Sequence, residues 1–527
     1  MKDKGGKQSA MRSIASLKQQ KGAALLILLS VIILGATAVF ITQLNEIARH
    51  LDQDKKTTQA LAQAKTALIG WAVSHPDRPG MLPFPDRNDD AGGYDGNSDC
   101  PSIALNNTFL VGQLPWLGQT APCVTPHHGL GINATDAEGE HLWYAVSQNL
   151  VYNAAGGGYP TINSGIQELT TQWITILDEN ANILSDRVAA VIIAPGPALR
   201  GQDRSATSPD AANYLDDITV GADTYSNADA DQIFISTNRG GNFNDRLIYI
   251  TIDELIPLVE RRIARKAKGC LDNYAAASDE KYPWAAQLDS SAAPDYVGDV
   301  GATFGRIPDV PNINTSGGTP PSSAQCAAAL STLQNPPCTH SPHAGPCLAA
   351  LTTYASCPSC ATVVPPMTAT ILGNPPCSGN PNAPACQTAT AAAASCASGS
   401  GSNPDPAMQS TWIPADCFSA HAYWNDWKEE VLYQLAPAYQ PGSSSDCATA
   451  ICLTLNGDSD YRAMVLMAGR TLTGAGQQRA GNTDKGTVTN YLEGDNASLG
   501  DYSFERQKTG DAFNDQIACV NGETTCK

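Results

Sequence analysis

Apolar residues dominate one stretch near the start of the chain and then follow a helical spacing. No charged residue occurs from Ala23 to Thr42, and a run of this length can cross about 30 Å of hydrocarbon as one helix. Beyond it, apolar residues recur at helical spacing: Leu44, Ile47, Leu51, then Leu61, Ala64, Leu68, Trp71 and Ala72. The pattern predicts one helix over residues 23–74, about 80 Å long, of which the second half lies on a globular domain.

Charge and cysteine positions indicate which side of a membrane the chain occupies. Six basic residues and one acidic residue precede the apolar run, which predicts a cytoplasmic N-terminus and an exported remainder. All 16 cysteines lie from Cys100 onward, as expected for an oxidising compartment such as the periplasm. The net charge of −19 disfavours binding to nucleic acid.

Lys21-Gly22 stands directly before the apolar run, which begins at Ala23. A basic leader ending in Lys-Gly, an apolar stretch and an amphipathic extension resemble the N-terminus of type IV pilins, of type II secretion pseudopilins and of large prepilin-like proteins of Gram-negative bacteria. The resemblance implies that prepilin peptidase cuts between Gly22 and Ala23. It also implies partners: other pilins, packed through the N-terminal helix, and an inner-membrane assembly platform.

One position departs from the commonest pilin pattern. Most major pilins have Glu at the fifth mature position, where this chain has Ile27. Because some minor pilins and the minor pseudopilin at the secretion tip also lack this Glu, the resemblance implies a minor subunit. Two alternatives stay open: a secretory signal peptide cleaved after Ala36-Thr37-Ala38, and an uncleaved signal anchor.

Beyond the helix, the pattern predicts a mixed α+β chain. Residues 141–146 read as helical, and strands are expected at 173–177, 188–194, 232–236 and 246–251. A second helix is expected from an Asp253 cap to Ala277, with Pro257 tolerated in its first turn. The long N-terminal helix is expected to lie on an antiparallel, pilin-like sheet.

Later parts of the chain repeat earlier parts in the same order. The matched pairs are 188–204 with 462–479, 213–216 with 490–493, 243–246 with 513–516 and, more loosely, Leu114-Pro115-Trp116 with Tyr282-Pro283-Trp284. We interpret these matches as a tandem duplication of one α+β module. Turns with side-chain hydrogen bonds are expected at the matched Asn-Tyr-Leu and Phe-Asn-Asp segments.

These observations divide the chain into six parts: a leader (1–22), the anchor helix (23–75), a first module (76–251), a helix opening the second module (252–289), an insertion (290–416) and the rest of the second module (417–527). The insertion is rich in Ala and Pro and contains eight cysteines. Short helices are expected near 327–333 and 348–354, ordered by disulfides because little apolar mass is present for a core. Cys357-Pro-Ser-Cys360 fits a structural disulfide better than a redox dithiol.

Two acidic triplets suggest calcium. Carboxylate and amide side chains alternate with other residues at Asp86, Asn88 and Asp90, and again at Asp95, Asn97 and Asp99, a spacing that brings oxygens around Ca²⁺. Neither triplet has the glycine or the twelfth-position Glu of an EF-hand, and a solvated polar turn is the alternative. Calcium is the only cofactor that the sequence suggests.

No enzymatic constellation is found. His127 and His128 lie near Cys123, but the chain has neither a nucleophile elbow nor a His-Glu-x-x-His motif. Pilin-like relatives often carry Cys where this chain has Phe84, so the resemblance implies that Cys100 pairs with Cys123. Cys519 and Cys526 are further disulfide candidates.

The sequence therefore predicts a non-enzymatic, minor pilin-like subunit that initiates, caps or decorates a type IV pilus or a type II secretion-type filament. It would be a single-pass inner-membrane protein with periplasmic modules, reaching the cell surface after assembly. One alternative is an anchored adhesin that binds through the insertion. A secreted hydrolase is a third class, for which no site is found.

Overall fold

The computed structural model describes residues 19–88, 93–119, 129–153, 158–169, 173–205, 210–237, 240–288, 296–311, 323–335, 338, 345–354, 360–374, 377, 384–397, 412, 417–418, 421–499, 501–507 and 510–520. The helices are α1 (Gln19–Ser74), α2 (Ile252–Ala277), α3 (Ser323–Gln334), α4 (Gly345–Tyr354), α5 (Cys360–Gly373), α6 (Pro384–Ala397), α7 (Trp424–Trp427) and α8 (Asn482–Lys485).

Strands before residue 312 are β1 (Asn97–Ser98), β2 (Val111–Gln113), β3 (Gly118–Gln119), β4 (Trp143–Val146), β5 (Ile174–Leu177), β6 (Ile183–Ala194), β7 (Asp217–Val220), β8 (Asp223–Ser226), β9 (Ile233–Ile235), β10 (Arg246–Thr251) and β11 (Phe304–Arg306), which lies inside the predicted insertion. Strands after it are β12 (Val431–Leu435), β13 (Leu453–Leu455), β14 (Asp458–Tyr461), β15 (Ala463–Met467), β16 (Ser503–Phe504) and β17 (Gln516–Val520). The chain is thus a mixed α+β protein with a long N-terminal apolar helix, as the sequence predicts.

α1 is one unbroken helix that ends at Ser74, where the proline-rich segment begins. Its second half buries the predicted apolar face against the first sheet: Leu61, Ala64, Leu68, Trp71 and Ala72. Arg246 on β10 reaches Asp54 at 3.1 Å, and Lys65 donates to the Tyr249 carbonyl at 2.9 Å. The helix is therefore fixed to the sheet from about Asp54 onward.

The first module consists of the second half of α1 and a six-stranded sheet. Strands β2, β4, β6 and β10 pair antiparallel in that order. The long β6 also pairs antiparallel with β5, and β5 pairs in parallel with β9. The sequence prediction of a helix over 141–146 is wrong, because this segment forms the central strand β4. All four residues of β4 are buried, and a short apolar run of this kind does not distinguish a buried strand from a buried helix by periodicity.

The second module repeats this topology. Strands β11, β12, β15 and β17 pair antiparallel in that order, like β2, β4, β6 and β10. β13 pairs antiparallel with β14 and parallel with β16. In the first module β5 likewise pairs antiparallel with β6 and parallel with β9. α2 lies over the second sheet, in the position that α1 has over the first.

One predicted repeat match is wrong. The Tyr433 hydroxyl donates to the Pro283 carbonyl at 3.1 Å, and the Tyr144 hydroxyl donates to the Pro83 carbonyl at the same distance. The counterpart of Tyr282-Pro283-Trp284 is therefore Leu82-Pro83-Phe84, directly after α1, and not Leu114-Pro115-Trp116. Leu114-Pro115-Trp116 resembles Tyr282-Pro283-Trp284 only in its Pro-Trp pair, whereas the equivalent position has Pro-Phe.

A close backbone approach supports this corrected alignment. A Cβ on Gly112 would lie 2.3 Å from the Asp86 carbonyl oxygen, and one on Gly305 would lie 1.8 Å from the Ala286 carbonyl oxygen. Each glycine sits in the edge strand beside the proline segment, so only glycine lets the two backbones pair there.

The cap of α2 lies two residues earlier than predicted, at Thr251 instead of Asp253. Thr251, the last residue of β10, accepts a hydrogen bond from the Glu254 N–H at 3.1 Å. The predicted cap, Asp253, lies in the first turn instead and pairs with Arg187. The last strand of the first module thus continues directly into the helix of the second.

The insertion has a core of its own, contrary to the sequence prediction. α3 and α4 cover the two predicted short helices, and α5 and α6 follow. Their buried apolar side chains form a cluster separate from that of the modules: Ala329, Leu333, Leu351, Tyr354, Val364, Ile371, Ala389 and Ala392. Small apolar residues from all four helices, together with the disulfide-bonded Cys377 and Cys386, pack into this one cluster.

The insertion also contains a nested repeat that the sequence analysis missed. Asn-Pro-Pro-Cys occurs at 335–338 and at 374–377. Cys338–Cys347 and Cys377–Cys386 are disulfides with the same sequence separation of 9. In each copy the Asn amide donates at 2.7 Å to the carbonyl four residues earlier, at the end of the preceding helix. The insertion is therefore built from two similar disulfide-closed helical units.

Candidate functional site: the exposed helix and the module junction

The first half of α1 exposes a continuous apolar surface. From Leu25 to Leu51 the large apolar side chains are all exposed, in contrast to the second half of the same helix. A helix over Leu25–Ser74 is long and apolar enough to cross a membrane, as a membrane anchor or a signal sequence. An apolar surface of this size requires an apolar environment.

The predicted processing residues lie at the start of this helix. Lys21, Gly22 and Ala23 belong to the first turns of α1. Ile27, the residue at the position where major pilins have Glu, is 65% exposed on the apolar half. The exposed helix therefore has no acidic side chain at this position.

α1 and α2 run side by side in the same direction. Lys65 pairs with Glu254 at 2.7 Å, and further along both helices Arg262 donates to the His75 carbonyl at 2.6 Å. α1 ends at Ser74, whereas α2 continues to Ala277, about 22 Å beyond Arg262 at 1.5 Å per residue. The second module therefore lies farther than the first from the apolar half of α1.

The base of the insertion lies at the far end of α2. A disulfide joins Cys270 of α2 to Cys417, and the Tyr274 ring contacts Trp412 with centroids 5.3 Å apart. The Trp412 indole donates to the Pro308 carbonyl at 3.0 Å, so the two ends of the insertion meet. The insertion thus leaves the protein at the end opposite the apolar half of α1.

The two modules share one core and a polar contact around Glu260 of α2. Glu260 is fully buried, and its two carboxyl oxygens contact the Ser164 hydroxyl at 2.7 Å and the Gln516 amide at 2.6 Å. Ser164 belongs to the first module and Gln516 to the second. Ser164 also lies 3.0 Å from the Ala468 carbonyl of the second sheet, so this contact ties both sheets to α2.

The protonation of Glu260 follows from this arrangement. Burial raises its pKa to about 7, partly offset by the bonds from Ser164 and Gln516. A serine hydroxyl has one proton and cannot donate to Glu260 and Ala468 at once. A protonated Glu260 donates to Ser164, whose proton then goes to the Ala468 carbonyl, and every contact is satisfied.

A cavity of about 800 Å³ opens beside Glu260 at the junction. Arg187 lines it and forms a two-point ion pair with Asp253, both distances being 2.7 Å. On the opposite wall Glu168 accepts the Thr471 N–H at 2.6 Å. These groups belong to both modules, so the lining holds the modules together and its charges are largely paired.

Each module carries the same buried polar turn. In the first module Asp216 accepts the N–H groups of Asn244 and Asp245 at 2.6 and 3.0 Å. In the second Glu493 accepts those of Asn514 and Asp515 at 2.9 and 3.2 Å. The turns predicted at these segments are present, and their hydrogen bonds correspond atom by atom.

Arginine and aromatic residues complete each turn. Arg204 donates to the Gly196 carbonyl at 2.7 Å, and Arg479 donates to the Gly469 carbonyl at 2.8 Å. Their guanidinium groups lie over Tyr214 and Tyr491 at 4.6 and 4.7 Å. These residues fix the chain after β6 and β15 in one conformation.

Burial dominates the electrostatics of both turns. It raises the pKa of Asp245 well above its usual range, and the Asp216 carboxylate adds to the rise. The pKa of Asp515 is raised for the same reasons, with Glu493 as the neighbouring carboxylate. Both carboxyls are structural groups inside the fold rather than solvent-facing ligands.

The predicted calcium residues are mostly used within the loop. Asp86 accepts the Gly96 N–H at 2.7 Å, and Asp95 accepts the Asn97 N–H at 2.8 Å. Burial, helped by Asp99 and Asp95, raises the pKa of Asp86 to about 8. Within the part of the chain that the structure describes, no three His, Cys, Asp or Glu residues form a group able to hold a metal ion.

Asn88 is exposed, and the Asp99 carboxylate accepts the Arg87 N–H. Asp90 lies outside the described residues, so calcium binding stays a prediction. The buried Oδ1 of Asp86 has no hydrogen-bond partner, and a cation bound there would contact this oxygen. A neutral Asp86 removes the cost of a buried charge without any cation.

The predicted cysteine sites are described only in part. Cys100 and Cys519 are buried and disulfide-bonded, whereas Cys123, Cys357 and Cys526 lie outside the described residues and Cys360 begins α5. The histidines at 127 and 128 also lie outside. Sequence reasoning missed Cys270–Cys417 and Cys447–Cys452, because no spacing identifies disulfide partners.

No protein-family model, curated protein or solved structure matches this chain. The interpretation therefore depends on the geometry described above.

Sequence reasoning also missed Glu260 and Ser164. The sequence contains a signal for Glu260, because this residue stands four residues after Ile256 and four before Ala264. The three side chains therefore lie on the same face of α2, which is apolar apart from Glu260. A charged residue on an apolar face indicates a buried polar contact. Ser164 carries no comparable signal.

Proposed function

We propose that this protein is a non-enzymatic, pilin-like minor subunit that initiates or caps a type IV pilus or a type II secretion-type filament. The exposed apolar half of α1 would anchor it in the inner membrane before assembly and pack among the helices of other pilins afterwards. Prepilin peptidase and the inner-membrane assembly platform would be its processing and assembly partners.

The arrangement of α1 and α2 supports this proposal most directly. The second module and the insertion extend from the first module in the direction leading away from the apolar half. In a filament whose core contains the apolar half-helices, this bulk lies along the axis beyond the first module. A chain of this shape fits the filament end better than repeated positions along a shaft, where another subunit must follow.

Ile27 supports the same position. In major pilins the Glu at this position is thought to neutralise the N-terminal ammonium of a neighbouring subunit, and an unpaired ion in an apolar core costs several kcal/mol. Ile27 cannot accept that charge. A subunit without the acceptor is tolerated best where no earlier subunit needs it.

The N-terminus of the exported protein tests the processing step. We expect Edman sequencing of membrane-extracted protein to begin at Ala23, and Gly22→Ser to leave the leader attached. A start at Val39 would identify a signal peptide, and an intact Met1 would identify a plain anchor. Either result would overturn the pilin-like assignment.

A second candidate is an anchored adhesin that binds through the insertion. The separate core of the insertion and its place at the far end favour it. Because Trp412 contacts Pro308, residues 312–411 can be replaced by a short linker. An adhesin predicts normal filament number with lost surface binding after this deletion, whereas a purely structural end subunit predicts no change in binding.

A further inference from the structure

A buried lysine and a buried aspartate meet at the base of the insertion. Lys428 Nζ lies 2.9 Å from Asp309 Oδ2, and the two side chains are 11% and 5% exposed. Asp309 precedes residues 312–411 of the insertion, and Lys428 follows them. The other described lysine–carboxylate pairs have more exposed side chains, such as Lys485–Glu429 at 23% and 29%.

The aspartate is held by donors on both oxygens. The Trp424 indole donates to Oδ1 at 2.8 Å, and the Tyr296 N–H donates to Oδ2 at 2.8 Å. Such donors polarise the carboxyl carbon toward attack and stabilise the negative charge of a tetrahedral intermediate. Lys428 Nζ also lies over the Tyr296 ring, 5.4 Å from its centroid, so the nitrogen is confined beside the carboxyl group.

Aromatic side chains form the surroundings of this pair. Trp412 packs on Phe418 with centroids 4.3 Å apart, and Phe418 packs on Trp424 at 4.5 Å. Trp412, Phe418 and Trp424 are all buried. Two ions in such a place are costly, since removing them from water costs several kcal/mol each. Condensation to a neutral amide removes that cost and releases water from the site.

We propose that Lys428 and Asp309 are joined by an isopeptide bond that the folded protein forms itself. A bond forms between Lys428 Nζ and Asp309 Cγ, and one Cγ–O bond of the carboxyl group breaks. The leaving oxygen takes the two protons that the ammonium loses and departs as one water molecule. No oxidant, reductant or activating co-substrate is consumed.

Glu430, two residues after Lys428 in the chain, is the candidate to move a proton during this step. It is fully buried, its Oε2 has no hydrogen-bond partner, and burial raises its pKa to about 8. Burial raises the pKa of the Tyr296 hydroxyl, and the negative charges of Asp309 and Glu430 raise it further. A carboxyl that is protonated at neutral pH can donate to the leaving oxygen and recover a proton from the nitrogen.

The bond would give the insertion a second, redox-independent closure. Cys270–Cys417 already links the chain beyond the insertion to α2. An amide between Asp309 and Lys428 would close the chain on both sides of residues 312–411. The insertion would then stay attached to the second module under reducing conditions and under mechanical load.

The test is mass spectrometry of the full-length exported protein, reduced and alkylated. We expect a mass lower by one water molecule than the sequence requires, loss of tryptic cleavage after Lys428, and a branched peptide joining the Asp309 and Lys428 segments after combined trypsin and pepsin digestion. The unmodified mass with cleavage after Lys428 would overturn the proposal. A cyclic imide at Asp309 loses the same mass but yields no branched peptide, which would also overturn it.

Three variants sharpen the assignment. Lys428→Arg keeps the positive charge but cannot form the amide, so it should have the unmodified mass. Lys485→Arg makes the same change at the more exposed pair with Glu429 and should keep the bond. Glu430→Gln should leave Asp309 and Lys428 unlinked in a folded protein with its disulfides intact, and a linked Glu430→Gln protein would exclude Glu430 as the proton carrier.

Discussion

The first module is covered by a helix that continues beyond its sheet, whereas the second is covered by a helix that begins at a strand end. α1 reaches the first sheet at Asp54 and leaves the stretch from Leu25 to Leu51 exposed. α2 starts at the Thr251 cap and is buried between both sheets. The strands and polar turns beneath the two helices are nevertheless equivalent.

The comparison teaches which features belong to the module and which to its place in the chain. The buried acid that accepts two backbone N–H groups occurs in both copies, as Asp216 and Glu493. The exposed apolar helix occurs only in the first copy, and the insertion only in the second. The polar turn thus belongs to the module itself, whereas the exposed apolar helix and the insertion each belong to one copy.

The largest effect is expected from the disulfide that only the second module has. Cys270–Cys417 joins residues 147 apart, and replacing both by Ser should lower the free energy of unfolding by about 5 kcal/mol through loop-closure entropy. The matched control is Cys447–Cys452, separated by 5 residues, for which about 2 kcal/mol is expected. Urea unfolding of the purified protein measures both, and equal losses would contradict the entropic account.

The equivalence of the polar turns predicts equal losses in the two modules. Asp216→Ala and Glu493→Ala each leave two buried N–H groups without an acceptor, and each should cost roughly 3 kcal/mol. The exchanges Asp216→Glu and Glu493→Asp keep an acceptor and should cost less. An unchanged free energy of unfolding in one alanine variant and a large decrease in the other would show that the two turns are not equivalent.

The junction predicts a pH dependence carried by Glu260. Its carboxyl has an ordinary pKa of 4.5 and a folded pKa of about 7, so the folded state binds the proton more tightly. The stabilisation is complete below pH 4.5 and is lost as pH rises to 7, by about 3 kcal/mol. Relative to Glu260→Gln, whose side chain stays neutral, the wild type should lose free energy of unfolding as the pH rises through this range. A constant difference would show that Glu260 is not buried as a neutral acid.

The helix starts predict the smallest effect. Thr251 caps α2, so Thr251→Ala should cost about 1 kcal/mol and Thr251→Ser should restore most of it. α1 needs no such cap at the edge of its sheet because the helix continues there. Thermal unfolding of the three proteins measures the difference, and an unchanged Thr251→Ala protein would show that the cap bond is not made.

Much of the fold could be predicted because helical spacing and repeated motifs are local signals. The end of α1 at Ser74 and the strand at 246–251 follow from periodicity and proline positions. The strand at 143–146 could not, since a short run buried on both faces has no period. The insertion core, the disulfide partners and the Asp309–Lys428 pair depend on contacts between distant segments. Glu260 was visible in the pattern and was overlooked.

The position of the protein on assembled filaments tests the central claim most directly. Antibodies against the folded insertion can be applied to purified filaments and detected by immunogold electron microscopy. We predict label at one end of each filament, and a deletion strain with fewer filaments of unchanged width. Label distributed evenly along the shaft would contradict the account.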